Sequence, residues 1–474
     1  MQVPVAAQVA EPTVTAGRES RSFVRPALVA AFRRLMRLYF RDIERVGDAP
    51  SADTRGRVIV SNHTNALIDP ILVLTDAACE ISPVAKSTLW SIPGLRWLLD
   101  RAGAVPIVRR KDNPDKDPAT TATTFGKVAQ HLAGGGNILI FPEGTSHSEP
   151  HLAPLRTGAA RMLLAAETEG TGPVTLLPVG LMLHEPGTFR TGWAVLSMGE
   201  PVPTADCVAL ARTEPEEAAR RLTARLGEAM RALIAMVDDR QTLRLVEHAE
   251  RLWRQERGGE WDATARADWR RRATRAYRYL SHQDPARLSL LRAQMERYVK
   301  DLDEAGVRTA VLLRPPAPAV ALRYASGQLA ALLGGLPLAL WGLLTHALPY
   351  WLTWAAARVL RPEGDVEATY KLAAGLALYP LAWIGEAWLG WRLGGGRLLA
   401  LFLVLLVPSG FFALSWSERL GRLYRETRAL LYLLIDRDLA RHLAERRREI
   451  LADMEAAAAL VPEPVLSGRE EPTA

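Results

Sequence analysis

Two kinds of hydrophobic pattern divide the chain. Between residues 50 and 205, short apolar runs alternate with stretches of helical periodicity. The runs lie at 58–60, 81–85, 104–108, 137–141, 174–182 and 193–199, and the helical stretches lie near 66–78, 91–101, 119–133 and 153–169. Such alternation is typical of an α/β domain with a mostly parallel sheet, in which the functional site lies at the ends of the strands.

The second pattern is longer and more apolar, and it covers residues 328–416. Residues 371–391 and 398–416 each come close to the ~20 apolar residues that a membrane-spanning helix needs. The three glycines at 394–396 predict a hairpin turn between them. Segment 328–360 is also apolar, but two prolines interrupt it. The sequence therefore predicts a C-terminal helical membrane region.

The charge of the flanking segments predicts the topology of this region. The tail 417–474 is helical and rich in arginine, which favours a cytoplasmic location. Because we expect the N-terminal α/β domain to be cytoplasmic as well, the number of spans must be even. We therefore expect residues 328–360 to re-enter the membrane, to lie in its interface, or to form a short hairpin.

Three other segments show simpler patterns. Residues 1–26 have no periodicity and no apolar run of a secretory signal, so we expect disorder. Residues 27–49 predict a basic amphipathic helix, which either lies in a membrane interface or packs on the domain core. Residues 206–327 are helical and highly charged, and they show no candidate chemistry.

Composition narrows the class of protein. A chain of 474 residues is too long for one compact domain. Its net charge of +7 comes without a basic arm for nucleic acid, so anionic lipid headgroups are the better partner. Cys79 and Cys207 form no metal-binding pattern and fit a reducing compartment.

The candidate chemistry begins directly after the first apolar run. Residues 58–60 are β-branched, Ser61 and Asn62 end the run, and His63 follows at a predicted strand-to-helix turn. Asp69, six positions later, would fold back onto the imidazole and leave it free to take a proton from a hydroxyl group. The alternative from these residues alone is a helix-capping turn with an ordinary polar histidine.

Three later blocks also lie within an apolar run or directly after one. They are Gly103–Arg109, Ile138–Ser146 with its Phe-Pro-Glu-Gly sequence, and Leu176–Leu181 with its Pro-Val-Gly sequence. Together with the histidine block they resemble, in order and interval, the four blocks of the glycerophosphate/lysophosphatidate acyltransferase superfamily, over about 58–200. The chain departs from the usual pattern of this superfamily at two places. Five residues instead of four separate His63 from Asp69, and Ser146, followed by His147, lies where an arginine is common. Both features resemble the yeast-type glycerol-3-phosphate/dihydroxyacetone-phosphate acyltransferases.

The residues themselves suit an acyl transfer to a hydroxyl group. His63 is the candidate base and Asp69 its orienting partner, while Arg109 suits a phosphate because a guanidinium binds two oxygens at once. Thr145 and Ser146 are candidate donors to the substrate. The resemblance implies that Glu143, beside Gly144, helps to bind the acceptor hydroxyl, that the acceptor attacks the thioester directly, and that no metal or other cofactor is needed.

These observations lead to one expected function and two alternatives. We expect a membrane-associated enzyme that moves a fatty acyl group from acyl-CoA or acyl carrier protein onto glycerol-3-phosphate in phospholipid synthesis, with its catalytic domain on the cytoplasmic face of the inner membrane. The first alternative is an enzyme that acylates 1-acyl-glycerol-3-phosphate (lysophosphatidic acid) or another lysophospholipid. The second is a non-catalytic membrane protein of the same fold that binds lipid.

Overall fold

The computed structural model shows two compact units, residues 1–236 and 237–474. Its description leaves out residues 1–23, 48–55, 78, 108–117, 148–150, 169–172, 185–188, 191, 235–239, 259–260, 306–317, 361–366, 436 and 468–474. Most of the predicted N-terminal disordered segment, 1–26, and the candidate phosphate ligand Arg109 therefore lie outside the described residues.

The first unit is built on a seven-stranded sheet in the order β1-β7-β6-β2-β5-β3-β4. The strands are β1 (Asp42–Val46), β2 (Arg57–Ser61), β3 (Ser82–Lys86), β4 (Val105–Ile107), β5 (Asn137–Ile140), β6 (Thr175–His184) and β7 (Trp193–Met198). All neighbouring strands pair in parallel except β6 and β7. The predicted mostly parallel α/β sheet is confirmed.

Helices cover this sheet. They are α1 (Val24–Tyr39), α2 (Ile68–Asp76), a 3-10 helix (Ser87–Ser91), α3 (Pro93–Arg101), α4 (Pro118–Ala133), α5 (Gly158–Thr168), α6 (Ala205–Ala211) and α7 (Pro215–Leu233). Strand β2 is wholly buried between β5 and β6, which explains its unbroken β-branched sequence. Its carboxyl end, where His63 follows, is therefore at the centre of the sheet.

The structure differs from the sequence prediction at the amphipathic segment 27–49. Helix α1 ends at Tyr39, and Asp42–Val46 form the edge strand β1, which pairs in parallel with β7. Met36 and Tyr39 are buried, so part of the apolar face of α1 packs inside the domain. The apolar positions in β1 continued the helical spacing of α1, and only pairing with a strand far along the chain separates the two elements.

The boundary expected at residue 205 also differs. Cys207 of α6 and Leu222, Leu226 and Met230 of α7 belong to the same hydrophobic core as β2 and β5. The first unit therefore includes α6 and α7, and the charged helical region predicted to begin at residue 206 starts with helix α8. The spacing of apolar residues in α7 shows that one face is buried but not against which partner.

The second unit contains a helix bundle. Its members are α8 (Arg240–Arg257), α9 (Ala263–Gln283), α10 (Pro285–Ala305), α13 (Arg437–Ala458) and α14 (Glu463–Ser467). Leu252, Met295 and Tyr298 form one hydrophobic core with Leu443 and Ile450. The charged region before the apolar segment and the basic tail after it are thus parts of a single folded body.

Charged side chains tie the tail into this bundle. The buried guanidinium of Arg447 lies 2.5 Å from the Glu256 carboxylate, and Arg446 lies 2.5 Å from Asp301. Within the part of the bundle that precedes the apolar segment, Arg270 and Glu250 are both buried and lie 2.5 Å apart. Arg270 is therefore a structural residue of the bundle.

Along the chain, two long apolar helices separate the two halves of the bundle. They are α11 (Pro318–Leu360) and α12 (Glu367–Ile435). By length and composition both are able to cross a membrane, and only 17% and 22% of their most apolar windows are buried among the described residues. Helix α12 is interrupted at Gly395, whose φ of 61° and ψ of −156° are not helical.

The contacts of His346 show how α12 folds at this break. Its ring lies 5.6 Å from the ring of Trp383, and its Nε2 lies against Gly410, on the other side of Gly395. A continuous helix would hold residues 383 and 410 about 40 Å apart at 1.5 Å per residue. The two parts of α12 therefore fold back on each other as a hairpin at Gly395.

Candidate active site

The candidate site lies at the carboxyl ends of β2 and β5. These strands are neighbours in the sheet, and His63 follows the first while Glu143 follows the second. Parallel strands bring their carboxyl ends to one edge, so the topology alone places the histidine and Phe-Pro-Glu-Gly blocks side by side.

Asp69 orients the imidazole of His63. The aspartate side chain is fully buried in the first turn of α2, and its Oδ2 lies 3.1 Å from His63 Nδ1. The same oxygen accepts a hydrogen bond of 2.7 Å from the Asn65 backbone N–H. Because a carboxylate oxygen accepts hydrogen bonds, Nδ1 is the protonated nitrogen of the neutral imidazole, and its Nε2 then carries the lone pair. The structure thus brings the predicted base and its partner together.

Phe141 holds the imidazole from the side. Its ring stacks on that of His63 with centroids 4.1 Å apart and an interplanar angle of 18°. Together with Asp69 it fixes both the plane and the rotation of the imidazole. Sequence reasoning assigned no role to Phe141, although its place as the last residue before the Pro-Glu-Gly turn was a usable signal.

Glu143 joins the two motif segments through their backbones. Its buried Oε1 accepts a hydrogen bond of 2.7 Å from the N–H of His63, and Oε2 accepts one of 2.9 Å from the N–H of Ala153. His147 Nε2 contacts Oε2 as well, and the His147 N–H donates to the His63 carbonyl at 3.1 Å. Both carboxylate oxygens are thus engaged by the protein, which suits a positioning role, and the predicted contact of Glu143 with the acceptor hydroxyl stays a prediction.

The glycine of the Pro-Glu-Gly turn adopts a left-handed backbone. Gly144 has a φ of 73°, and a Cβ at this position would lie 2.8 Å from the Nε of Arg156. Thr145 is exposed and Ser146 is half-buried, so the two hydroxyl residues lie at the outer edge of the turn. Their predicted contact with substrate stays a prediction.

Replacing Gly144 by alanine should distort this turn. A left-handed backbone costs an L-residue about 1–2 kcal/mol, and the new methyl group would also displace Arg156. We expect Gly144→Ala to lower the midpoint of thermal unfolding and the rate of acyl transfer together. Gly158→Ala is a matched control because nothing lies within 4 Å of its Cβ position. Equal stability of both variants would contradict this reading of the turn.

Asn62 connects the histidine block to the Pro-Val-Gly block on β6. Its side-chain amide donates to the Leu181 carbonyl at 2.9 Å, and its Oδ1 accepts from the Leu181 N–H at 2.7 Å. Gly180, beside this contact, packs closely against Leu233 of α7. The Pro-Val-Gly block therefore has a packing role, and Asn62 is a positioning residue that sequence reasoning missed.

The site as described contains no evident metal centre. Among the residues that the structure describes, no group of three or more histidine, cysteine, aspartate or glutamate side chains is arranged to hold a metal ion. The expectation that the chemistry needs no cofactor stays a prediction.

Comparison with known proteins supports the interpretation of these blocks. Residues 41–182 match the model of the family described as Acyltransferase. A 132-residue stretch is 33% identical to glycerol-3-phosphate O-acyltransferase 2 of Saccharomyces cerevisiae, over 27% of this chain and 18% of that protein. A 146-residue stretch is 29% identical to the chloroplastic 1-acyl-sn-glycerol-3-phosphate acyltransferase BAT2 of Brassica napus, over 31% and 39% of the two chains.

A solved structure of a protein named as an acyltransferase is also similar to this chain. It is the 1-acyl-sn-glycerophosphate acyltransferase PlsC of Thermotoga maritima, with a TM-score of 0.34, 19% identity, and coverage of 46% of this chain and 83% of that one. The chain spans less than half the length of each of the two curated relatives above. All four sequence blocks fall inside residues 41–182, the range that matches the model of the acyltransferase family.

Proposed function

We propose that the chain transfers a fatty acyl group from a thioester, acyl-CoA or acyl carrier protein, to the hydroxyl of glycerol-3-phosphate. The observation that carries this proposal is the hydrogen bond between Asp69 and His63 Nδ1, which leaves Nε2 as a base at the end of β2. The yeast relative named for glycerol-3-phosphate supports the choice of acceptor.

The reaction needs a base, a means of holding the acceptor, and a path for the leaving group. His63 Nε2 removes the proton from the acceptor hydroxyl, and the oxygen attacks the thioester carbonyl. The tetrahedral adduct then expels the thiolate, which takes the proton from the imidazolium, so the ester and a free thiol are formed. Arg109, which lies outside the described residues, would bind the acceptor phosphate through paired hydrogen bonds.

Competition between two acceptors tests the proposal. The purified chain in detergent is given labelled acyl-CoA with equal amounts of glycerol-3-phosphate and its 1-acyl form, and the two products are separated and quantified. We expect the monoacyl product to predominate. Predominance of the diacyl product would contradict the acceptor and would support the second candidate, a lysophosphatidate acyltransferase, which the Brassica napus relative favours.

We also propose a membrane topology in which both ends of the apolar segment lie on one side. Helices α10 and α13 share a hydrophobic core, and a bilayer does not separate the two halves of one core. Helix α11 leaves this bundle and α12 returns to it, so the chain crosses an even number of times. The hairpin at Gly395 supplies two crossings, and α11 would then re-enter without crossing. The basic tail favours the cytoplasmic side of the inner membrane.

Single cysteines test this topology. After Cys79 and Cys207 are replaced by alanine, cysteine is introduced at Lys300, Arg441 or Gly396, which are exposed. Sealed inverted and right-side-out membrane vesicles are then treated with a thiol reagent that does not cross membranes. We expect Lys300→Cys and Arg441→Cys to react from the cytoplasmic face and Gly396→Cys from the opposite face. Reaction of the first two from opposite faces would contradict the topology.

A further inference from the structure

Arg156 lies against the glycine turn of the candidate site. The Cβ position of Gly144 is 2.8 Å from Arg156 Nε and 3.3 Å from its Cζ, so the guanidinium covers the turn. The Arg156 backbone N–H donates a hydrogen bond of 2.8 Å to the carbonyl of Pro142, at the start of the same turn. The arginine is therefore fixed to the turn by its own backbone.

The segment that carries Arg156 is anchored on both sides. Three residues earlier, the Ala153 N–H donates to Glu143, whose other oxygen accepts from the backbone of His63. Immediately before the arginine, Leu155 packs against the hydrophobic core of the first unit. The same carboxylate thus fixes the position of the arginine's segment and that of the candidate base.

The guanidinium of Arg156 has no acidic partner among the described residues. The residue is exposed, and neither an ion pair nor a side-chain hydrogen bond joins it to another part of the described chain. Arg161, five residues further on, is paired with Glu216 by contrast. A permanently charged, unpaired guanidinium held against the Pro-Glu-Gly turn is suited to an anionic ligand, because its planar fork matches the oxygens of a phosphate.

Resting on the proposed function, we propose that Arg156 binds the phosphate of the glycerol phosphate acceptor. With the phosphate at Arg156, the hydroxyl to be acylated is directed toward His63, which shares the anchoring residue Glu143. This assigns to Arg156 a part in acceptor recognition beside the one proposed for Arg109. In this assignment Arg156 recognises the phosphate of the acceptor and not the acyl chain of the donor.

Binding of glycerol-3-phosphate without an acyl donor tests this assignment. Calorimetry on the full chain in detergent compares the wild type with Arg156→Gln, Arg156→Lys and the control Arg212→Gln, an exposed arginine at the end of α6. Loss of a charged hydrogen bond should raise the dissociation constant about tenfold or more in Arg156→Gln. We expect a smaller rise in Arg156→Lys and no change in Arg212→Gln.

Steady-state kinetics supply the second readout. The KM for glycerol-3-phosphate should rise by a similar factor in Arg156→Gln, and inorganic phosphate should inhibit this variant less than the wild type, while the KM for acyl-CoA stays the same. Unchanged binding and KM in Arg156→Gln would overturn the assignment and leave the proposed function intact. Phosphate binding that depends on Arg156, without acyl transfer by the wild type, would contradict the proposed function alone.

Discussion

Replacement of Glu143 by alanine should both destabilise the catalytic domain and nearly abolish acyl transfer. The change removes a buried carboxylate and leaves the partly buried backbone N–H groups of His63 and Ala153 without their acceptor. We expect the free energy of unfolding to fall by about 2–4 kcal/mol, because each unsatisfied buried group costs about 1–3 kcal/mol. A shift of His63 from its position should lower the rate about a hundredfold. Thermal unfolding and steady-state kinetics on the same preparation measure the two effects.

Glu143→Gln separates positioning from direct binding of the acceptor. Glutamine keeps one oxygen but turns an amide group toward a backbone N–H, so both stability and kcat should fall, by less than in the alanine variant. A residue that contacts the acceptor directly would change the KM for glycerol-3-phosphate and leave the unfolding midpoint unaltered. That second pattern would refute the positioning role.

Replacement of His63 by alanine should lower kcat by about a thousandfold, since general base catalysis accelerates a reaction by a factor of about 10²–10⁴. The backbone contacts with Glu143 and His147 do not involve the imidazole, and the buried carboxylate of Asp69 keeps its hydrogen bond from the Asn65 N–H, so the unfolding midpoint should change little. His151→Ala is a suitable control, because this ring lies 5.7 Å from that of His147 and makes no described contact with His63. We expect the control to keep nearly the rate of the wild type.

The fold of residues 57–198 was largely predictable because its strands are apolar runs separated by helical periodicity. Strand β1 was not, since Ile43 and Val46 continue the apolar spacing of α1 and only pairing with β7 makes them a strand. The packing of α13 against α10 was likewise not predictable from the sequence. Amphipathic patterns show that a face is buried, but they do not show that a partner lies beyond a long apolar segment.

The candidate site was predictable to different degrees. The His63–Asp69 contact is local, and a strand-to-helix turn brings two residues six positions apart together. The backbone contacts of Glu143 depend on the adjacency of β2 and β5 and on the path of the chain beyond the motif. Arg156 lies outside the four blocks, and its approach to Gly144 follows only from the bond that its backbone makes to Pro142.

We propose that His63 acts as the base in acyl transfer to a glycerol phosphate. The most direct measurement is the initial rate of labelled acyl transfer from acyl-CoA to glycerol-3-phosphate by the purified wild type, His63→Ala and His151→Ala. The thermal unfolding midpoints of the three proteins are measured as well, and the rates are compared when these midpoints agree. We expect a monoacyl product from the wild type and the His151 variant, with a rate about a thousandfold lower in His63→Ala. Equal rates in all three proteins, or no transfer by the wild type, would contradict the proposal.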